Sequence, residues 1–266
     1  MFESHSEWKR LSVGEVGRLL RSPPHDADCS ASFHFPWFSG HEMQVLLFDI
    51  DGTLIDAGGA GQAAMEQAVA REFGETRPVT GIATAGRTDR AIGRDLFDYY
   101  SIPATDANWS RYLQTYFSLL PTSLREREGR ILPGVTSLIE RLSRHDDVFL
   151  GLLTGNFVEG ARLKLEHYGL HHHFRMGGFG DEHLERDDVA RQALATLKDH
   201  LPDVDPSDIW VIGDTPSDVQ CGRAIGAKVL AVATGMFNAE QLAPTAPDVL
   251  LHDLTHADPW LVQLGL

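Results

Sequence analysis

Short, uninterrupted apolar runs recur along the chain at Val45 to Phe48, Val148 to Leu153, Ile209 to Ile212 and Val229 to Ala233. A strand with one wet face alternates apolar and polar residues. These runs do not, which predicts strands covered on both faces, as in a parallel sheet. Between them, Val135, Leu138, Ile139 and Leu142 repeat with the i, i+3, i+4, i+7 spacing of a helix with one apolar face, and Ala190, Ala193, Leu194 and Leu197 do the same. Alternating strand and helix patterns predict an α/β core, a Rossmann-like doubly wound parallel sheet. From about residue 59 to 130 no comparable strand run occurs, while Trp109, Tyr112, Leu113, Tyr116, Phe117 and Leu120 mark a strong helix. The chain therefore reads as an α/β core at 43–58 and 131–266, interrupted by an inserted α-helical cap domain at 59–130. Its hinges are expected near Ala57 to Gly61 and Gly129 to Gly134. Residues 1–42, with Pro23, Pro24, Pro36 and only one short apolar patch, read as a poorly ordered N-terminal extension, and Met43 as a candidate translation start.

Composition narrows the function classes. At 266 residues the chain has room for about two domains. Its 23 Lys and Arg against 38 Asp and Glu leave a net charge of −15, which argues against nucleic acid or an anionic membrane surface as partner, since neutralising phosphates takes clustered cations. An anionic ligand must then be held by a local site. Cys29 and Cys221 are the only cysteines and lack zinc-type spacing, which predicts no disulfide framework and a reducing, cytoplasmic compartment. No apolar run of about 18 residues occurs, and no signal-peptide pattern opens the chain.

Three polar motifs fall where the strand runs end. The first run leads into Asp49-Ile50-Asp51-Gly52-Thr53-Leu54. In open α/β sheets ligands bind beyond the carboxyl ends of the strands, and Gly52 permits a sharp exit that turns both carboxylates toward one site. The second run ends in Thr154-Gly155-Asn156, a hydroxyl, a permissive glycine and an amide suited to an oxyanion or phosphate, or equally to capping a helix. After the third come Gly213-Asp214-Thr215-Pro216-Ser217-Asp218, with Pro216 placed for a first helical turn. Asp214 and Asp218 can supply hard oxygens to one Mg²⁺, directly or through water, and capping is again the alternative. Each motif is weak alone; their joint placement, in an order that one sheet can bring together, is not.

In this order, DxDGT(L), TGN and GDxxxD resemble the haloacid dehalogenase superfamily over about residues 43–266, and the helical insertion resembles its helical-cap branch, which includes phosphoglycolate-phosphatase-like enzymes and beta-phosphoglucomutases. The resemblance implies a sheet with the first strand central, flanked by the strands of the second and last motifs. It also implies roles: Asp49 as nucleophile, Asp51 as general acid and then base, and Thr154, Gly155 and Asn156 as phosphoryl ligands. Asp49, Asp51, Asp214 and Asp218 form the expected Mg²⁺ set. A second carboxylate at Asp51 favours a phosphatase over a dehalogenase. The family pattern also wants a basic residue after the third core strand, here expected near Phe174 to Gly178. No lysine stands there, so Arg186 is the candidate, with Lys164 its competitor. In the cap, Gly86-Arg87-Thr88-Asp89-Arg90 lies where related caps carry specificity residues, and Arg87 is a candidate for a substrate carboxylate or phosphate.

The expected function is a cytoplasmic, Mg²⁺-dependent phosphatase acting on a small phosphomonoester through an aspartyl-phosphate. The alternatives are a phosphomutase of the same superfamily and a non-catalytic phosphoester-binding regulator. Other features carry less. Gly59 to Ala64 imitates a dinucleotide loop but lies about ten residues past its strand with no acid about 20 residues on. The rings of His171, His172 and His173 splay apart, and Cys221 reads as a small packed residue.

Overall fold

The apolar run that opens the core is β1 (Gln44–Phe48), and the computed structural model, which describes residues 43–266, sets it inside a six-stranded parallel sheet. After it come the two-residue β2 (Ile55–Asp56) and the helices α1 (Ala60–Phe73), α2 (Asp89–Tyr99) and α3 (Asp106–Glu126). Next are β3 (Arg130–Ile131), α4 (Val135–Leu142), β4 (Val148–Leu153), α5 (Val158–His167), β5 (Gly177–Gly178) and α6 (Arg186–His200). The chain ends through β6 (Ile209–Gly213), α7 (Pro216–Ala224), β7 (Lys228–Val232), α8 (Ala239–Leu242), β8 (Val249–Leu251) and α9 (Asp258–Gln263). The sheet order is β5-β4-β1-β6-β7-β8. Val45 stands opposite both Phe149 of β4 and Ile209 of β6, so the first strand is flanked by the two that carry the TGN and GDxxxD motifs.

Successive side chains on a strand point to opposite faces, and here both faces are dry. Leu46 and Phe48 join Leu150, Leu152, Trp210 and Ile212 in one apolar cluster, covered by α4, α5, α9 and the helical insertion. Val45 and Leu47 join Phe149, Leu153, Ile209 and Val211 in the other, against α6 and α7. The unbroken apolar runs are the sequence trace of this double burial.

In the insertion, Phe97 stacks on Trp109 with centroids 4.7 Å apart and meets Tyr112 edge-on at 5.3 Å. Tyr116 and Phe117 both reach Phe157, which precedes α5 of the core. The aromatic stripe of α3 is thus packing for the helical segment and for its seat on the sheet layer. Two features depart from the sequence pattern. Just before the hinge expected at Ala57 to Gly61, Ile55 and Asp56 pair antiparallel with Ile131 and Arg130 of the hinge expected at Gly129 to Gly134, a ribbon that ties the two ends of the insertion together. The strand expected around Phe174 to Gly178 keeps only Gly177 and Gly178 on the sheet. The expectations for residues 1–42, Cys29 included, fall outside the described residues. Among those described, no helix is long and apolar enough to cross a membrane.

Candidate active site

The carboxyl ends of β1, β4 and β6 converge. Asp49 follows β1, its N–H donating to the Ile212 carbonyl at 2.9 Å, and its side chain is buried. The chain then turns at Gly52, whose φ of +85° is left-handed. A Cβ at Gly52 would lie 2.4 Å from Asp214 Oδ2, so only glycine lets the two strand ends approach this closely. Thr53 Oγ1 donates to Asp214 Oδ1 at 3.1 Å, a bond that joins the first and last motifs. Thr215 caps α7 and forms a reciprocal capping box with Asp218, whose Oδ2 accepts from the Thr215 N–H at 3.0 Å and hydroxyl at 2.7 Å.

Arg186, the first residue of α6, reaches into this group. Its guanidinium donates to Asp218 Oδ1 and to the Leu153 carbonyl and stands 3.6 Å from Asp49 Oδ1. Capping and ligation are thus not alternatives for Asp218: it caps α7 and also faces Asp49 and Asp214. Asp49, Asp214 and Asp218 are all buried and each offers an oxygen within 4.8 Å of the others. Burial pushes Asp49 up to about 7, with Asp218 adding to the rise and Arg186 opposing it. Burial, Asp218 and Asp49 push Asp214 up to about 9. Ionising all three carboxylates against one guanidinium would leave an excess of negative charge out of water, and an all-oxygen donor set of this kind fits a hard divalent cation.

Asp51 belongs elsewhere. Its carboxylate, expected among the metal ligands, stands outside the buried acidic cluster. Oδ2 accepts from Lys164 Nζ at 2.5 Å and from Asn156 Nδ2 at 2.9 Å. The physical reason is Lys164: an ammonium only 4% exposed needs a carboxylate partner. Lys164 and Arg186 therefore do not share one position: Arg186 lies beside Asp49 and Lys164 beside Asp51. In the TGN turn, Asn156 Nδ2 also donates to Thr154 Oγ1 at 2.8 Å, and Thr154 is fully buried.

The cap loop closes on that turn. The Asp89 N–H donates to the Gly155 carbonyl at 2.7 Å, and Asp89 Oδ2 accepts from the Phe157 N–H at 3.0 Å. Burial raises Asp89 to about 6, with Lys164 opposing the rise. Asp89 lies in the Gly86 to Arg90 loop, where the sequence singles out Arg87 alone; in the structure it is the first residue of α2, which Thr88 caps. Arg87 is already paired: Nη1 donates to Asp95 Oδ2 at 2.6 Å and to the Ala83 carbonyl at 3.1 Å. It lines a polar cleft of about 310 Å³ with Arg94, Glu185, Arg186, Asp187 and Ser217, while Asp49 and Asp51 do not line it.

A Cβ at Gly155 would sit 2.1 Å from the Arg87 carbonyl oxygen. Gly155→Ala must therefore displace either the cap loop or the turn that carries Thr154 and Asn156. Because misplacing a positioning group by about 1 Å costs of order 10²-fold, a loss of that size in kcat/KM is expected, with a cooperative thermal transition retained. An unchanged rate would show that this contact has no part in turnover.

Cys221 is buried, and burial pushes its thiol up to about 12. His171 to His173 form a short 3-10 turn with no buried member, but the rings do not all splay apart as expected: on this tight turn those of His172 and His173 lie with centroids 3.9 Å apart, tilted by 37°. Gly59 caps the start of α1 rather than following a strand of the main sheet.

Comparison with known proteins gives this geometry a family. The chain is 25% identical over 229 residues to phosphoglycolate phosphatase 1 of Pseudomonas aeruginosa, covering 82% of this chain and 80% of the relative. It is 28% identical over 222 residues to the phosphoglycolate phosphatase of Synechococcus elongatus, covering 79% and 92%. The fold matches the crystal structure of a predicted phosphoglycolate phosphatase from Haemophilus somnus with a TM-score of 0.63 at 16% identity, over 85% of this chain and all of the other. The model of the haloacid dehalogenase-like hydrolases matches residues 46–232, a span that holds all three motifs, Lys164, Arg186 and the whole insertion, and the chain belongs to that family.

Proposed function

We propose that the protein is a phosphatase that hydrolyses small phosphomonoesters through an aspartyl-phosphate on Asp49. The observation that carries this reading is the division of two carboxylates at one strand end between two settings. Asp49 is buried against Arg186 and the acidic cluster, whereas Asp51 keeps a side chain 41% exposed, tied to Lys164 and Asn156. Two acids in different environments suit two roles, a nucleophile and a proton carrier.

In the first step an Asp49 oxygen attacks phosphorus. The bond between phosphorus and the substrate oxygen breaks, and Asp51 protonates the departing oxygen. In the second step Asp51 takes a proton from water, which attacks the aspartyl-phosphate and frees inorganic phosphate and Asp49. The Thr154 hydroxyl, the Gly155 N–H and Asn156 lie at the end of β4 to hold phosphoryl oxygens, and the Arg186 charge balances them. Asp49, Asp214 and Asp218 would hold Mg²⁺, which when bound neutralises charge between nucleophile and phosphate. Named relatives make 2-phosphoglycolate the first substrate to try. With two cysteines, one of them buried and packed, we assign the enzyme to the cytoplasm.

The test is release of inorganic phosphate from 2-phosphoglycolate, sugar phosphates and nucleoside monophosphates, with Mg²⁺ and with EDTA. Release that needs the metal is expected from at least one of them. Isomerisation of a sugar phosphate without net release would replace the phosphatase reading by a mutase. Folded protein that turns over none of them would leave a phosphoester-binding role.

A further inference from the structure

A buried lysine on α5 has no part in the chemistry described so far. Lys164 is 4% exposed, yet its ammonium meets Asp51 Oδ2 and Asn156 Oδ1, both at 2.5 Å. We propose that Lys164 is the positioning residue for Asp51: it anchors one carboxylate oxygen so that the other is presented to the leaving group. This rests on Asp51 being the acid of the proposed reaction.

The hydrogen bonds of Asp51 are one-sided. Oδ2 takes both Lys164 and Asn156, and among the described residues no hydrogen bond uses Oδ1. A carboxylate 41% exposed would otherwise rotate freely, and a general acid works only within hydrogen-bond reach of the oxygen it protonates. Anchoring Oδ2 leaves Oδ1 as the atom that carries the proton. As the Asp49 oxygen bonds to phosphorus, the electron pair of the breaking ester bond goes to the leaving oxygen, which takes the proton from Oδ1.

The surroundings of Lys164 are built for an ammonium. Burial alone would lower its pKa, but the Asp51 and Asp89 carboxylates outweigh that and raise it, so it stays charged. Space for the side chain comes from glycine: a Cβ at Gly61 would stand 3.3 Å from Nζ. The Tyr116 hydroxyl, fully buried and without a hydrogen-bond partner among the described residues, lies 3.9 Å from that Cβ position. Asp89, Tyr116 and Gly61 all belong to the helical insertion, which thus helps to enclose Lys164.

The experiment compares kcat/KM for an alkyl phosphate, whose leaving group needs a proton, with that for 4-nitrophenyl phosphate, whose leaving group does not. This quantity reports steps up to leaving-group departure, whatever limits the second displacement. Since general acid catalysis contributes about 10² to 10⁴, Lys164→Met is expected to lower the alkyl-to-aryl ratio by roughly tenfold or more, and Asp51→Asn to lower it further. A purely structural lysine would reduce both substrates alike. If Asp51→Asn shifts the ratio and Lys164→Met does not, the positioning role is overturned and the phosphatase reading stands. If Asp51→Asn leaves the ratio unchanged, the acid assignment falls and the role of Lys164 with it. Should Lys164→Met fail to fold, Lys164→Gln keeps a hydrogen-bonding head without the charge and is read by the same ratio.

Discussion

Asp49→Asn is expected to abolish phosphate release, with a loss of order 10⁴-fold or more, and to leave the protein folded. The two side chains have nearly the same shape, but an amide oxygen is a poor nucleophile toward phosphorus, and among the described residues the neighbouring carboxylates are already engaged. Asp214 is engaged by Thr53, Asp218 by Thr215 and Arg186, and Asp51 by Lys164 and Asn156. The fold tolerates the change because Asp49 is one of three carboxylates crowded together out of water, with Asp218 opposing its ionisation, and a neutral amide relieves that crowding while its oxygen still faces Arg186. Two measurements check this: phosphate release, and acid-quench trapping of an acyl phosphate from the native enzyme. A variant that keeps more than about 1% of native turnover, or that still traps phosphate on protein, would remove Asp49 from the nucleophile's role.

The fold was legible because its physics is local. Strands buried on both faces have to read as apolar runs, and helices with one buried face have to read at 3.6-residue spacing, so β1, β4, β6 and β7 and helices α4 and α6 were visible within a residue or two, apart from the longer ends of α6. Elements of two or three residues leave no such trace. The β2-β3 ribbon has two residue pairs, and β8 is a partly exposed edge strand of three residues. At the site the same division holds. Asp49, Asp214 and the TGN turn could be placed because strand ends announce themselves. The partners of each group could not, since they depend on which elements lie side by side. Arg186, expected as the basic residue after the third core strand, stands beside Asp49, and the packing of α6 beside α7 also brings it to Asp218. Lys164 lies eight positions after Asn156 and reaches back to it, yet only the β1 turn supplies the carboxylate that decides what it does.

Stability without metal is expected to fall as pH rises, and Mg²⁺ to remove most of that fall. Asp49 and Asp214 ionise near their ordinary carboxylate values in the unfolded chain and much higher in the folded one, at about 7 and about 9. Each is neutral in both states below about pH 4 and costs nothing there. Above that the unfolded chain ionises first, and the native state loses stability until pH passes the folded value. For Asp49 alone the full penalty is at most roughly 4 kcal/mol, enough for a shift in Tm of roughly 10 °C in a chain of this size. Asp89 and Asp181, both raised by burial to about 6, act in the same direction but are complete at lower pH. His171 and His173, lowered by burial, act in the opposite direction from the rim of the fold. Metal would separate the contributions, because a divalent cation held at the proposed site would favour the ionised cluster, of which Asp181 and the histidines are not part. Thermal unfolding in EDTA should therefore give a lower Tm at pH 8 than at pH 5.5, and the increase on adding Mg²⁺ should be larger at pH 8. In Asp49→Asn the fall in EDTA should be shallower, since one of the raised carboxylates is gone. A metal-induced shift equal at the two pH values would mean that Mg²⁺ does not bind to the ionised Asp49, Asp214 and Asp218, and that the charge of this cluster is balanced by the protein alone.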